Sequence, residues 1–184
     1  WNIAQTVTLT GANDDLVDGS QTSTVTFSVV DGSSDDDFDG VTDQTVSVTT
    51  SDSDIAGFTV IESGGTTTVA EDGSTTDDFT VVLDAQPTSD VVLSIVSADT
   101  GEVTVSPATL TFTSGNWDSS QTVTVTGVDD SLIDGSQTTV VTIAVVDASS
   151  NDSFDSLLDQ TVSVSTADDD TAGFTVSQTD GSSS

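Results

Sequence analysis

The residues of this chain that could do chemistry are aspartates grouped around two short turns. Residues 129–135 read DDSLIDG, and residues 13–19 read NDDLVDG. Each turn offers acids at its start, an apolar residue whose carbonyl can point inward, and a further acid before glycine. Calcium takes about six to eight oxygen ligands from carboxylates and backbone carbonyls on flexible loops. The turns therefore predict calcium sites, and the alternative interpretation is an acidic turn that simply ends at glycine.

A third acidic stretch has a different spacing. Residues 35–43 read DDDFDGVTD, with alternate acids before a glycine and one acid after it, namely Asp35, Asp37, Asp39 and Asp43. This is the start of an EF-hand-type calcium loop, in which the glycine allows a sharp turn. Val46 stands where such a loop has its bidentate glutamate, and no helical pattern flanks the stretch. Calcium at this loop is one interpretation, and a flexible loop between two strands is the other.

Composition narrows the chemistry further. The chain holds 32 Asp and Glu but no Lys, Arg, His or Cys, and its formal net charge is −32. Catalysis by a Ser–His or Cys–His pair and zinc binding through imidazole or thiolate are excluded. We expect no nucleic-acid partner, because no side chain can neutralise a phosphate. The counter-charge for the acids must come from outside the chain, and adaptation to high salt is a second explanation of the acidity.

A long internal repeat organises these residues. Residues 1–68 recur as residues 117–184 at a constant offset of 116, without a gap and with more than half of the positions identical. A period of this length is typical of a repeated β domain. We expect residues 55–170 to be one complete repeat, 1–54 the C-terminal half of a preceding repeat, and 171–184 the first strand of the next. The chain begins at Trp1 without Met, so we expect it to be part of a longer protein.

The elements that position the acids are predicted to be strands. Thr/Val/Ser runs of alternating character lie between clusters of Asp, Gly, Ser and Asn throughout the chain, and no helical periodicity is present. They include residues 5–10, 23–30, 44–49, 79–83, 91–96, 109–113, 121–126, 138–146 and 160–165. In each run one face is apolar and the other carries Thr or Ser, which suits a sheet with one face in the core and one in water. An all-β sandwich follows from this pattern.

Four segments of the complete repeat resemble the Calx-β domain. They read TVAEDGS, TLTFTSGNW, TVTGVDDSLIDGSQ and TVSVSTADDDTAGF, and the resemblance covers about residues 56–170. It implies a seven-stranded, immunoglobulin-like antiparallel β-sandwich that binds Ca²⁺ at one end, here in a tandem array with a 116-residue period. The ligand positions of the family fall on Glu71, Glu102, Asp129, Asp130, the carbonyl of Leu132, Asp134, Asp168, Asp169 and Asp170.

The first half-repeat carries part of the same ligand set. The corresponding residues are Asp14, Asp18, Asp52 and Asp54. Asn13 replaces Asp129, and Ser53 replaces Asp169. We therefore expect a weaker or less occupied site in this half-repeat.

The function that these features predict is structural. We expect a calcium-binding repeat of a secreted or cell-surface protein, such as an adhesin stalk, matrix fibre or extracellular filament, made rigid by Ca²⁺ at domain ends and joints. Its expected partners are neighbouring repeats in a linear head-to-tail array. The alternative is an adhesion module that recognises glycan or protein through the loops at one end of the sandwich. Trp1 and Trp117 occupy one repeat position, and we expect them in the core rather than in a binding site.

Two further classes of function are not expected. A glycosidase can work with two carboxylates alone, but the sequence singles out no pair of raised pKa in a cleft, so we expect no enzyme. No segment approaches the roughly 18 apolar residues of a membrane-spanning helix, so we expect no membrane insertion.

Overall fold

The computed structural model describes residues 2–177. Its strands are β1 (Gln21–Phe27), β2 (Gln44–Thr50), β3 (Phe58–Glu62), β4 (Thr67–Ala70), β5 (Thr76–Leu83), β6 (Val91–Ser97), β7 (Val103–Ser106), β8 (Thr109–Phe112), β9 (Gln121–Gly127), β10 (Gln137–Val145) and β11 (Gln160–Ala167). Short 3-10 turns lie at Asp31–Ser33, Asp36–Phe38, Ser63–Gly65 and Asp147–Ser149. Within the described residues, no helix has the length and hydrophobicity needed to cross a bilayer.

The strands of the complete repeat form two sheets that enclose one core. One sheet has the order β4-β11-β10-β6-β8, and the other has the order β3-β5-β9-β7. Both contribute to a single cluster of buried side chains, with Phe79 and Val123 from the second sheet against Leu93 and Ile143 from the first. This is the predicted all-β, immunoglobulin-like sandwich. Its pairs are antiparallel, except that β4 runs parallel to β11.

Two pairs of strands that lie in different sheets are joined by very short connections. Residues 63–66 separate β3 from β4, and residues 107–108 separate β7 from β8. When each of these pairs is counted as one interrupted strand, residues 58–167 give the seven strands that the resemblance implies. The predicted alternation is also confirmed, since Val123 and Val125 in β9 are fully buried while the alternate residues Thr122 and Thr124 are exposed.

The first half-repeat forms a separate hairpin. β1 pairs with β2 in the register Val25↔Val46, which repeats the pairing Val141↔Val162 of β10 with β11. Its apolar face lacks a covering sheet, and Val46 is therefore 47% exposed, whereas its counterpart Val162 is 1% exposed. The chain contains one copy of residues 69–116, so the strands that cover β10 and β11 have no counterpart for β1 and β2.

Two predicted strands are not formed, for the same physical reason. Residues 5–10 have no regular structure, although their counterpart β9 is a strand between β5 and β7. A strand is held by its neighbours, and residues 1–184 hold one copy each of β5 and β7, both of which pair with β9. Residues 171–177 likewise form no strand, and Phe174 is 91% exposed where its counterpart Phe58 in β3 is 4% exposed. The rest of the predicted strand, residues 178–184, lies outside the described residues.

Candidate metal centre

Three strand ends bring acidic side chains to one edge of the sandwich. Glu71 directly follows β4, the loop 128–136 follows β9, and Asp168 directly follows β11. β4 and β11 are parallel and end side by side, and the backbone N–H of Glu71 donates to the carbonyl of Ala167 over 3.0 Å. β9 ends opposite the start of β5, where Thr126 pairs with Thr76, so its loop opens beside the β4–β5 turn. Acids that are distant in the sequence therefore meet at one place.

Glu71, Asp130 and Asp170 form the centre of this cluster. Each offers a carboxylate oxygen, and the three oxygens lie within 4.8 Å of one another. Calcium holds its ligands at about 2.3–2.6 Å, so two oxygens on opposite sides of one ion are roughly 5 Å apart. Glu71 is only 3% exposed, and one oxygen of Asp170 (Oδ2) is buried without a hydrogen-bond partner among the described residues. All three candidate ligands are carboxylate oxygens, which are the ligands that calcium prefers.

Hydrogen bonds hold the loop around this centre. The backbone N–H of Asp130 donates to Glu71 over 3.1 Å, and the N–H of Leu132 donates to Oδ1 of Asp130 over 2.5 Å. Asp168 accepts from the N–H of Gly135 over 2.7 Å and from the N–H of Asp170 over 2.8 Å. Asp168 therefore ties the loop to the end of β11. Its two oxygens are engaged with backbone, whereas Asp170 keeps a free oxygen for a ligand.

The electrostatics of the site favour a cation. The pKa of Glu71 is raised, chiefly by burial and further by the charges of Asp130, Asp168 and Glu102. The pKa of Asp170 is also raised, chiefly by burial and then by the neighbouring aspartates. No Lys, Arg or His exists in the chain to offset these charges. A bound divalent ion would offset both the cost of burying these charges and their mutual repulsion.

The remaining predicted ligands of the complete repeat surround the centre. Glu102 lines a cavity of about 420 Å³ together with Asp134, and its pKa is raised by burial first and by Asp134 second. Asp129 and Asp169 are exposed, and Leu132 is 61% exposed. The structure thus gathers Glu71, Asp130 and Asp170 closely and places the other predicted residues around them.

The half-repeat reproduces the backbone hydrogen bonds of this site but lacks its two glutamates. Asp52 accepts from the N–H groups of Asp18, Gly19 and Asp54 at 3.1, 2.7 and 2.8 Å, and these backbone donors lower its pKa. Asp14 accepts from the N–H of Leu16 over 3.1 Å, as Asp130 does from Leu132. The pKa of Asp54 is raised by burial and by neighbouring aspartates.

Two substitutions in the half-repeat replace charge by a neutral contact. The hydroxyl of Ser53 donates to the side-chain oxygen of Asn13 over 3.1 Å. The corresponding residues of the complete repeat are the acids Asp169 and Asp129. A counterpart of Glu71 would precede residue 1. The half-repeat therefore presents fewer anionic ligands than the complete repeat, and the weaker calcium site expected there stays a prediction.

The EF-hand-like stretch is organised as a capped turn. Asp35 accepts from the N–H of Asp37 over 3.1 Å and caps the 3-10 turn Asp36–Phe38. The acids Asp35, Asp37, Asp39 and Asp43 do not form a group like that of Glu71, Asp130 and Asp170 within residues 2–177. In the complete repeat the same turn is held by Asn151, and Phe154 enters the core with no exposed surface. The pattern accounts for an anchored turn, and calcium at this stretch stays a prediction.

Gly127 is a site residue that the sequence analysis missed. A Cβ at this position would lie against the carbonyl oxygen of Ala70 and 3.2 Å from the Cα of Glu71. The close approach of β9 to β4 at this glycine sets where Glu71 enters the site. The sequence signal was a glycine between the Thr/Val strand and the acidic turn, a position where close backbone approach is common.

The raised pKa values predict a pH dependence whose sign depends on calcium. Without calcium, the folded protein binds more protons than the unfolded chain between the ordinary pKa values, 4.5 for Glu and 3.8 for Asp, and the raised pKa values of Glu71 and Asp170. The free energy of unfolding should therefore fall as pH rises through that window. With calcium bound, protonation expels the ion, so the free energy of unfolding should rise over the same window.

Urea unfolding between pH 4 and pH 7, in EDTA and in calcium, measures both slopes. Glu71→Gln removes one of the shifted groups and should flatten the slope in EDTA. Slopes of the same sign in EDTA and in calcium would contradict the assignment of these carboxylates to a metal site.

Comparisons with known proteins describe the fold only. No protein-family model matches the chain, and no curated protein matches it. Among solved structures, the chain is similar to the apo Calx CBD1 domain at 15% identity and a TM-score of 0.39, covering 61% of this chain and 98% of that domain. It is also similar to domains 4 and 5 of the S-layer protein SbsC at 23% identity and a TM-score of 0.41, covering 70% of this chain and 54% of that one.

A third similar structure is the periplasmic chaperone SfaE, at 8% identity and a TM-score of 0.43. The likeness covers 61% of this chain, and the chain spans 57% of the chaperone's length. Likenesses of this size concern the type of strand arrangement and not what a protein binds. Trp117, which was expected in the core, is half-buried and packs against it, while Trp1 lies outside the described residues.

Proposed function

We propose that this chain is a calcium-binding structural repeat of an extracellular or cell-surface protein. The observation that carries the proposal is the convergence of Glu71, Asp130 and Asp170 at the end of a sandwich that holds no cationic side chain. Calcium would bridge the end of β4, the loop after β9 and the end of β11. The ion would thereby replace mutual repulsion among these acids by attraction to a shared charge.

The proposed role is mechanical rather than catalytic. The chain has no His, Cys, Lys or Arg, and the raised pKa values of Glu71, Glu102 and Asp170 belong to acids that converge on the candidate metal centre. Seven residues, 51–57, separate the hairpin of the half-repeat from β3 of the complete repeat. A connection this short suits a stiff linear array of repeats, with neighbouring repeats as the partners.

Calcium dependence separates this function from adaptation to high salt. Specific binding stabilises the folded state according to the concentration of the ligand relative to its dissociation constant. Screening of surface charge depends on ionic strength alone. Micromolar to millimolar CaCl₂ should therefore raise the melting temperature where NaCl of equal ionic strength does not. An equal rise with both salts would contradict the proposal.

A further inference from the structure

The loop of the half-repeat makes a backbone contact with the complete repeat. The N–H of Val17 donates to the carbonyl of Gln86 over 2.9 Å, and the N–H of Gln86 donates to the carbonyl of Asp15 over 2.7 Å. Leu16 and Gln86 thus form an isolated parallel β-bridge. The loop that carries Asp14 and Asp18 is joined in this way to the turn between β5 and β6 of the following repeat.

Side chains support this contact on both sides. Val17 is half-buried and packs against the core of the complete repeat. In the β5–β6 turn, Ala85 and Pro87 are buried on either side of Gln86. The side-chain amide of Gln86 donates to the carbonyl of Ser114 over 2.7 Å, and this bond fixes the turn that receives the loop. The contact therefore combines two backbone hydrogen bonds with one apolar anchor on a rigid receiving surface.

The equivalent loop of the complete repeat has its apolar residues exposed. Leu132 and Ile133 stand at the positions of Leu16 and Val17, at the repeat offset of 116. They are 61% and 60% exposed, whereas Leu16 and Val17 are half-buried against the neighbouring repeat. Two adjacent large apolar residues at the tip of an acidic loop are costly to leave in water.

We propose that residues 131–133 form a docking surface for the β5–β6 turn of a following copy of the repeat. The N–H of Ile133 donates to the carbonyl of that copy's counterpart of Gln86, and the carbonyl of Ser131 accepts from its N–H. The Ile133 side chain takes the place that Val17 occupies. The occupant is another repeat, because the equivalent residues 15–17 pair with this turn within the present chain. Asp84 and Asp90 flank the receiving turn, so charge attraction to this acidic loop contributes nothing. Backbone pairing and apolar fit alone provide recognition.

This joint stands apart from the calcium function, because it uses backbone groups and apolar side chains and not the carboxylates. It also gives each repeat a defined head and tail. The loop after β9 at one end fits the β5–β6 turn of the next repeat, and the contact is heterologous, so repeats add head to tail in one direction.

Amide hydrogen exchange in a lengthened chain tests the docking surface. Residues 69–184 are appended after Ser184, so that residues 171–184 run on into a second complete repeat. The amide of Ile133 should exchange at least about tenfold more slowly in the lengthened chain than in the present one, because it gains a hydrogen bond in a cooperative joint. The amide of Val17 should be protected in both chains.

Ile133→Ser, which removes the apolar side chain without adding a charge to the loop, provides the matched variant. The side chain is exposed in the present chain, so this substitution should leave its melting temperature unchanged there. In the lengthened chain, the same substitution should abolish protection at residue 133 and at the appended counterpart of Gln86. Both measurements are made in calcium and in EDTA. Unchanged exchange of Ile133 in both conditions would overturn the proposal, and so would an unprotected Val17 amide. Neither result depends on whether calcium stabilises the repeat.

Discussion

Removal of calcium with EDTA should lower the melting temperature of this protein by roughly 10 °C. A ligand present at about 100 times its dissociation constant stabilises the folded state by about 2.7 kcal/mol. For a domain of about 100 residues, each kcal/mol shifts the melting temperature by roughly 4 °C. Without the ion, Glu71, Asp130 and Asp170 face one another as like charges, and Glu71 is buried. Scanning calorimetry in calcium and in EDTA measures the difference.

The double substitution Asp129→Asn with Asp130→Asn should reproduce most of this loss while calcium is present. The asparagine that replaces Asp130 keeps an oxygen that can accept from the N–H of Leu132, so the turn is preserved while two charges are removed. The matched control is Asp14→Asn, which makes the same change at the same turn of the half-repeat. It should shift the melting temperature far less, because no counterpart of Glu71 completes that site. A melting temperature that EDTA leaves unchanged would refute the proposed calcium stabilisation.

Gly127→Ala should destabilise the complete repeat by about 1–3 kcal/mol, because an added methyl group overpacks a rigid contact. The new Cβ would meet the backbone of Ala70 and the Cα of Glu71, and backbone cannot rotate away as a flexible side chain can. Relief of the clash would move β4 away from β9 and carry Glu71 out of the site. Calcium should therefore restore less stability to this variant than to the unaltered protein.

Gly11→Ala is the control at the same repeat position. Its Cβ would meet only the side chain of Thr50, whose methyl group lies at 2.9 Å, and that side chain can rotate. Urea unfolding of both variants, in calcium and in EDTA, gives the comparison. Equal free-energy losses for Gly127→Ala and Gly11→Ala would show that the approach of β9 to β4 is not what matters at this position.

Local patterns predicted the strands of the complete repeat because alternation of apolar and polar residues reports which face is buried. β9 shows this clearly, because Val123 and Val125 are buried and the alternate residues Thr122 and Thr124 are exposed. The same pattern at residues 5–10 predicted a strand that does not form. Alternation says that a segment can pair, but whether it does depends on neighbouring strands, which residues 5–10 lack.

The candidate site was predicted as a set of residues but not as a geometry. The resemblance placed Glu71, Asp130 and Asp170 among the ligands, and the structure brings these three together. Spacing alone could not show that Glu71 is the buried member. Nor could it show that both carboxylate oxygens of Asp168 accept hydrogen bonds from backbone N–H groups. These properties arise largely from contacts between segments far apart in the sequence, such as the bond from Asp130 to Glu71.

The EF-hand-like stretch shows that one local pattern can fit two roles. The acids of residues 35–43 have the spacing of a calcium loop, yet Asp35 serves as a cap for a short turn. The counterpart Phe154 explains the turn by its place in the core, and Phe38 is 59% exposed because the hairpin has no covering sheet. The acidic spacing does not specify which of these roles the stretch takes.

Isothermal titration calorimetry of the unaltered protein and Glu71→Gln with calcium tests the central claim most directly. Glu71 is the most buried carboxylate of the proposed site, and Gln keeps its size and one of its acceptor oxygens while removing the charge. The account predicts saturable binding to the unaltered protein, retained by Asp14→Asn and lost or weakened at least tenfold in Glu71→Gln. Binding to Glu71→Gln with the affinity and stoichiometry of the unaltered protein, or no saturable binding to either, would contradict it.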